Sequence, residues 1–119
     1  MRPLVIKVTC AAGDPERSNQ AFTVAASAAA AGADVSLWLT GDAAAYAVEG
    51  GGPDLGLEHA TPVAQLLEVV LASGRVTVCT QCAARRGITE ADLAPGLRMA
   101  GAALFAEEVL GDQVQALVY

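Results

Sequence analysis

The chain has 119 residues, of which 54% are hydrophobic and 4% aromatic, and its formal net charge at pH 7 is −6. Ample apolar surface excludes a disordered chain, and the acidic balance argues against direct binding to nucleic acid. The length suits one compact domain, expected over residues 1–119. No apolar run is long enough to cross a membrane, and Lys7 interrupts the amino-terminal apolar segment too early for a signal peptide, so a cytoplasmic protein is expected.

The first half of the chain alternates between strand and helix patterns. Residues 4–9 form an apolar run rich in β-branched side chains, typical of a buried parallel strand, and this run ends at Cys10. Asp14-Pro15-Glu16 then has a capping aspartate, a proline and an acid in the order typical of a helix start. The elements expected next are a strand over residues 34–39, a short helix over 43–48 and a glycine-rich surface loop from Gly50 to His59.

The second half repeats this alternation. Thr61-Pro62 is expected to cap a helix whose apolar stripe runs from Val63 to Leu71, and Gly74 ends it. The remaining predicted elements are a strand over residues 75–79, a short helix over 81–86, a turn with a Thr89–Asp92 capping box, a strand over 97–100, a helix over 102–110 and a strand over 114–119. This alternation predicts a three-layer α/β/α fold with a mostly parallel five-stranded sheet, resembling that of flavodoxin.

Two of the three cysteines form a Cys-x-x-Cys pair where the third predicted strand meets a helix. Parallel α/β proteins bind ligands beyond the carboxyl ends of their strands, so Cys79, Cys82 and Cys10 are expected at one sheet edge. The thiolate is the reactive form of cysteine, and a helix start with nearby cations favours it. We therefore predict Cys79 and Cys82 as the catalytic thiols. Arg85 and Arg86 are the predicted thiolate-stabilising cations, and Cys10 is a candidate supporting residue.

Packing is an alternative explanation for some of these residues. A buried cysteine is usually an apolar filler, which for Cys10 is as good an explanation as a functional one. A zinc site would need about four ligands, and beyond the pair the chain offers only Cys10 and His59, without a matched spacing, so no metal site is expected. Trp38 is assigned to the core or to an interface, and no phosphate-binding motif is present, so no cofactor is predicted.

At Val78-Cys79 and at Ala83-Ala84-Arg85-Arg86-Gly87-Ile88 the sequence resembles the DsrE/DsrF-like sulfur-relay family, of the TusD and YchN type. The resemblance spans essentially the whole chain and includes residues 4–9, 19–22 and 32–35. It implies a small α/β domain that assembles into trimers or hexamers. It also implies that a cysteine after the third strand carries sulfane sulfur as a persulfide. That cysteine corresponds to Cys79, whereas Cys82 is not required by the TusD-like pattern, although some YchN-like members have a comparable second cysteine.

Three hypotheses for the function follow. In the first, Cys79 takes sulfane sulfur from a donor protein and passes it to the thiol of an acceptor protein; both are expected partners, together with further copies of the chain. In the second, Cys79 and Cys82 form a dithiol–disulfide redox switch. In the third, the protein is a non-catalytic oligomeric binding module. Neither direct contact with nucleic acid nor a membrane partner is expected.

Overall fold

The structure, a computed structural model that describes residues 1–119, is organised around a five-stranded sheet. Its strands are β1 (Leu4–Val8), β2 (Val35–Leu39), β3 (Arg75–Cys79), β4 (Arg98–Ala100) and β5 (Gln115–Val118). All neighbouring strands are parallel, in the order β4-β3-β2-β1-β5. The strand bounds agree with the predicted ones to within one residue at each end. The sheet is wholly parallel, and its strand order differs from the 2-1-3-4-5 order of flavodoxin.

Helices lie on both faces of the sheet, as predicted. They are α1 (Pro15–Ala30), α2 (Val63–Leu71), α3 (Thr80–Arg85) and α4 (Ala102–Val109), with 3₁₀ helices at Gly41–Ala47 and Glu90–Asp92. Buried residues of α1 and α2 share one apolar cluster with the sheet. On the opposite face, Phe105 of α4 meets Trp38 edge to face, with ring centroids 5.4 Å apart. None of the helices combines the length and the apolar character that a membrane-spanning segment needs.

Successive side chains of each strand alternate between these two faces. The α1/α2 face receives the fully buried Ile6, Val8, Leu37, Leu39, Val76 and Val78. On the α4 face, Lys7, Trp38 and Thr77 lie side by side, because β1 pairs with β2 and β2 with β3 in this register. Cys79 follows Thr77 by two residues and therefore lies on the α4 face at the carboxyl end of β3.

Three signals for helix starts were predicted. Those at Asp14 and at Thr89–Asp92 are confirmed, and the one at Thr61-Pro62 is wrong. The Asp14 carboxylate accepts the backbone N–H of Arg17 at the start of α1. The Asp92 carboxylate accepts the Thr89 backbone N–H at 2.8 Å, as the predicted capping box requires. At α2, however, Pro62 occupies the cap position itself, so the helix has no side-chain cap from Thr61.

Candidate functional site

Cys79 is both the last residue of β3 and the cap residue of α3, so no loop separates this strand from its helix. Its backbone is extended, with φ −65° and ψ 125°, and the chain turns into α3 directly after it. In the sheet it lies beside Ala100, the last residue of β4. The residue is partly exposed, so its thiol is accessible from the edge of the sheet.

Burial alone would raise the pKa of the Cys79 thiol, but the groups around it hold the pKa below its ordinary value. Hydrogen bonding by the backbone and the thiol of Cys82 and by the backbone of Gln81 lowers this pKa. The positive charge of Lys7 acts in the same direction. Hydrogen bonds and positive charge favour the ionised form, and the thiolate is the nucleophilic form of cysteine.

Cys82 lies in α3, and the structure brings it against Cys79. Gln81 and Cys82 both lie in the first turn of α3, so the groups that lower the pKa of Cys79 belong to the helix that follows it directly. Both cysteines are free thiols, so the site contains two adjacent reduced sulfurs.

Arg86 binds two groups other than the Cys79 sulfur. Its Nη2 lies 2.9 Å from Oδ1 of Asp42, and its Nη1 donates to the backbone carbonyl of Cys82 at 3.1 Å. These contacts tie α3 to the 3₁₀ helix that follows β2, and they position the helical turn that carries Cys82. Arg85 lies exposed in the last turn of α3. The groups that shift the pKa of Cys79 include neither arginine.

Cys10 follows β1 at the same edge of the sheet as Cys79 but in a different environment. It packs against the apolar cluster that α1 and α2 cover. Burial and the carboxylates of Asp14 and Asp42 raise its pKa, and the charge of Arg17 offsets part of this increase. The structure thus brings Cys79 and Cys82 together and leaves Cys10 as a separate thiol with a raised pKa.

The loop after β2 passes directly over the end of β1. Gly41 has a φ of +52°, and a Cβ at this position would lie 2.6 Å from the backbone oxygen of Thr9. Glycine is required here, because a side chain would clash with backbone that cannot move away easily. This close approach puts Asp42 where its carboxylate both raises the pKa of Cys10 and pairs with Arg86.

Sequence reasoning missed a polar network on the α4 face. The Glu108 side chain, which is 15% exposed, accepts hydrogen bonds from Ser36 Oγ at 2.6 Å and Trp38 Nε1 at 3.1 Å. Its second oxygen pairs with Arg98, whose Nε donates to the Thr77 hydroxyl. Burial would raise the pKa of Glu108, but these hydrogen bonds and the Arg98 charge lower it. The available signal was the presence of Ser36 and Thr77 within otherwise apolar strands.

The sequence also did not predict that Lys7 lies on the α4 face near the site. Its Nζ lies 4.4 Å from the centroid of the Phe105 ring, so the side chain extends across the α4 face. The signal was a single charge within the apolar strand Leu4–Val8.

The largest cavity of the molecule lies away from the thiols. It has a volume of about 760 Å³ and is bounded mainly by α2, the loop after the 3₁₀ helix Gly41–Ala47 and residues 94–97. No cysteine, lysine or arginine lines it. No three histidine, cysteine, aspartate or glutamate side chains are grouped so that they could bind a metal ion. The candidate site is therefore the open edge of the sheet around Cys79.

Comparison with known proteins agrees with this architecture. The chain is similar in structure to the YchN protein from E. coli, with a TM-score of 0.82 and 24% identity over 100% of both chains. It is also similar to MTH1491, a protein of unknown function from Methanobacterium thermoautotrophicum, with a TM-score of 0.73 and 9% identity over 100% of both chains. At these identities the similarity concerns the fold alone, and a comparison with curated proteins finds no match. Residues 4–114 match the DsrE/DsrF-like family, and the chain therefore belongs to that family.

Proposed function

We propose that this protein carries sulfane sulfur as a persulfide on Cys79 and passes it to the thiol of an acceptor protein. The proposal rests on one observation: the Cys79 thiol is accessible at the sheet edge and, despite its partial burial, has a pKa lowered by hydrogen bonds from Cys82 and Gln81. A sulfur carrier needs such a nucleophilic thiolate at neutral pH. Membership of the DsrE/DsrF-like family supports sulfur transfer as the chemistry that this thiolate performs.

Two displacement reactions make up the transfer, and neither needs an external oxidant or reductant. The Cys79 thiolate attacks the outer sulfur of a donor persulfide; a new sulfur–sulfur bond forms, the donor's sulfur–sulfur bond breaks, and the donor leaves as a thiolate. An acceptor thiolate then attacks the outer sulfur of the Cys79 persulfide, and Cys79 leaves as a thiolate. The sulfane sulfur keeps its oxidation state in both steps. Lowering the pKa of Cys79 helps both, because a low-pKa thiol is also a better leaving group.

Loading with inorganic polysulfide tests this proposal. After alkylation and digestion, mass spectrometry should find the mass of one additional sulfur atom on the Cys79 peptide of the unaltered protein. Cys10→Ser should load equally well, because the pKa of Cys10 is raised and its environment is separate from that of Cys79. Cys79→Ser should not load. Absence of a sulfur adduct on Cys79 in the unaltered protein would contradict the proposal.

The contact between the two thiols favours a second candidate, the dithiol–disulfide switch. The Cys82 thiolate could attack the inner sulfur of a Cys79 persulfide, which forms an intramolecular disulfide and releases hydrosulfide. Alternatively, a disulfide substrate could oxidise the pair and leave as two thiols. Cys82→Ser separates the candidates: a sulfur carrier keeps loading and transferring sulfur through Cys79, whereas a redox couple loses its activity.

The proposed partners are a protein persulfide as donor, a protein thiol as acceptor, and further copies of this chain in a trimer or hexamer. A cytoplasmic location without direct contact to nucleic acid belongs to the same proposal. Light scattering of the purified protein measures the assembly directly. The third candidate is a non-catalytic binding module. An ordinary thiol pKa at Cys79, measured by the pH dependence of its alkylation, would favour this candidate over both others.

A further inference from the structure

Lys7 is a positive charge within the sheet that has no opposite charge beside it. It is the only lysine of the chain and lies half-buried in β1, which has a neighbouring strand on each side. The four ion pairs of the structure all use arginines. Removing a cation partly from water without a carboxylate partner costs free energy. The position of Lys7 is therefore unfavourable for the stability of the fold.

The register of the sheet brings Lys7 toward Cys79. Lys7 lies in line with Trp38 and Thr77, and Cys79 follows Thr77 by two residues on the same face. With strands about 4.8 Å apart and a rise of about 3.3 Å per residue, the two Cα atoms are roughly 12 Å apart. A lysine side chain spans about half of that distance, so its charge lies within about one Debye length of the sulfur.

A ring on α4 fixes the position of the Lys7 ammonium group. Nζ lies 4.4 Å from the Phe105 centroid, within the range of a cation–π contact. The same ring packs against Trp38, which separates Lys7 from Thr77 in the sheet. The ammonium group is therefore held against the sheet by packing rather than by a carboxylate, and its charge is not cancelled.

The other charged groups around the site are compensated or exposed. Arg86 pairs with Asp42, and on the elements that flank β3 on the α4 face, Arg98 pairs with Glu108. Arg85 and Glu107 are exposed on α3 and α4 respectively. Lys7 is thus the one cation that faces the site from within the sheet without a carboxylate partner.

We propose that Lys7 is the electrostatic partner of Cys79: its ammonium group stabilises the anionic sulfur, first as the thiolate and, after loading, as the persulfide anion. The inference deepens the proposed function and rests on it for the persulfide state. The pKa of Cys79 supports it, because burial raises this pKa while hydrogen bonds from Cys82 and Gln81 and the charge of Lys7 lower it.

The test measures the alkylation rate of Cys79 against pH, with the modified peptide identified by mass spectrometry. Lys7→Met should raise the pKa of Cys79 and slow its alkylation at neutral pH roughly threefold, the factor expected for a unit charge at this distance in a largely aqueous environment. Lys7→Arg should keep most of the effect. Arg85→Met is the matched control, a cation removed from α3 itself, and should leave the profile unchanged.

A salt series separates an electrostatic role from a structural one. In the unaltered protein, added salt should raise the pKa of Cys79, because ions screen the Lys7 charge. In Lys7→Met this salt dependence should disappear, and Cys10 in the same sample should be alkylated as before. If Lys7→Met does not fold, the salt series on the unaltered protein and on Lys7→Arg still tests the inference. An unchanged profile in folded Lys7→Met, an equal shift in Arg85→Met, or a salt-independent pKa in the unaltered protein would overturn it.

Polysulfide loading distinguishes failure of this inference from failure of the proposed function. If both are correct, Lys7→Met loads sulfur more slowly than the unaltered protein but to the same final extent. If the unaltered protein takes up no sulfur while Lys7→Met still shifts the alkylation profile, the carrier function and the persulfide part of the inference fall, and the thiolate part stands. Normal loading together with an unchanged alkylation profile in Lys7→Met overturns the inference alone.

Discussion

The two faces of the sheet differ in how they are held together and in the cysteine that each presents. Under α1 and α2 the contacts are almost entirely between Ala, Val and Leu side chains, and Cys10 at the end of β1 has a raised pKa. Under α4 the contacts include a buried carboxylate, its arginine partner and a lysine on an aromatic ring, and Cys79 at the end of β3 has a lowered pKa.

The difference shows that the position at the end of a parallel strand does not by itself activate a thiol. Four residues separate Cys10 from the start of α1, and Asp14 occupies the cap position there. No residue separates Cys79 from α3, so Gln81 and Cys82 in the first helical turn lie close enough to lower the pKa of its thiol. A carboxylate faces one thiol and an ammonium group the other, and these opposite charges act in opposite directions on the two pKa values.

The largest expected effect on the pH dependence of stability concerns the carboxylate of Glu108, which is largely buried on the α4 face. Glu108→Gln should lower the free energy of unfolding by about 2 kcal/mol at pH 7, because hydrogen bonds to a charged group are replaced by weaker neutral ones. The pKa of Glu108 is lowered in the folded state, so its contribution is complete above the unfolded value of about 4.3 and is lost as the pH falls through the folded value. Urea unfolding at a series of pH values measures both.

Glu107→Gln is the matched control, since Glu107 is the exposed neighbour on the same helix and forms no ion pair. Its effect should stay within about 0.5 kcal/mol at all pH values. Leu37→Ala on the α1/α2 face should cost about 3 kcal/mol by leaving a cavity, with no dependence on acid pH. If the free energy of unfolding depends on pH equally in Glu108→Gln and in the unaltered protein, the two faces do not differ in their electrostatic contribution to stability.

A smaller effect is expected on the pKa of Cys10, at the end of β1. Asp14→Asn should lower the pKa of Cys10, because it removes a carboxylate and leaves the charge of Arg17 without its partner. Asparagine also caps helices well, so α1 should keep its stability. Alkylation of Cys10 at neutral pH should become roughly threefold faster.

The comparison between the two faces also predicts that Asp14→Asn leaves the pKa of Cys79 unchanged. Glu16→Gln, which removes an exposed acid from the same turn, should leave both thiols as they are. Two results would show that the thiols do not respond to separate local charges. One is a changed pKa of Cys79 in Asp14→Asn, and the other is a change in the pKa of Cys10 in Glu16→Gln as large as that in Asp14→Asn.

Much of the fold was predictable because its signals are local. β-branched runs marked the strands to within one residue, and Asp14-Pro15 marked the start of α1. The strand order was not predictable in this way, because the pattern of β5 does not reveal that it returns beside β1 rather than beside β4. The same limit applies to α4, whose placement on the face opposite α1 follows from that return.

The site was predictable only in part for the same reason. The Cys-x-x-Cys spacing at a strand-to-helix junction identified two thiols that the structure places in contact. Arg85 and Arg86 were chosen because they are near in sequence, yet Arg86 contacts Asp42 and the Cys82 carbonyl, and the charge that acts on Cys79 comes from Lys7. Lys7 and Cys79 are 72 residues apart in the numbering (79 − 7), and only the register of three strands relates them.

The smallest expected effect concerns the second thiol of the pair. Cys82→Ala removes the thiol that hydrogen-bonds to Cys79 but keeps the backbone N–H, so the pKa of Cys79 should rise and its alkylation at neutral pH should slow roughly twofold. Cys82→Ser keeps a donor at this position and should leave the profile close to that of the unaltered protein. If both variants shift the profile equally, the hydrogen bond is not the cause. If neither does, backbone hydrogen bonds and Lys7 alone account for the low pKa, and the α4 face activates Cys79 without help from its neighbouring cysteine.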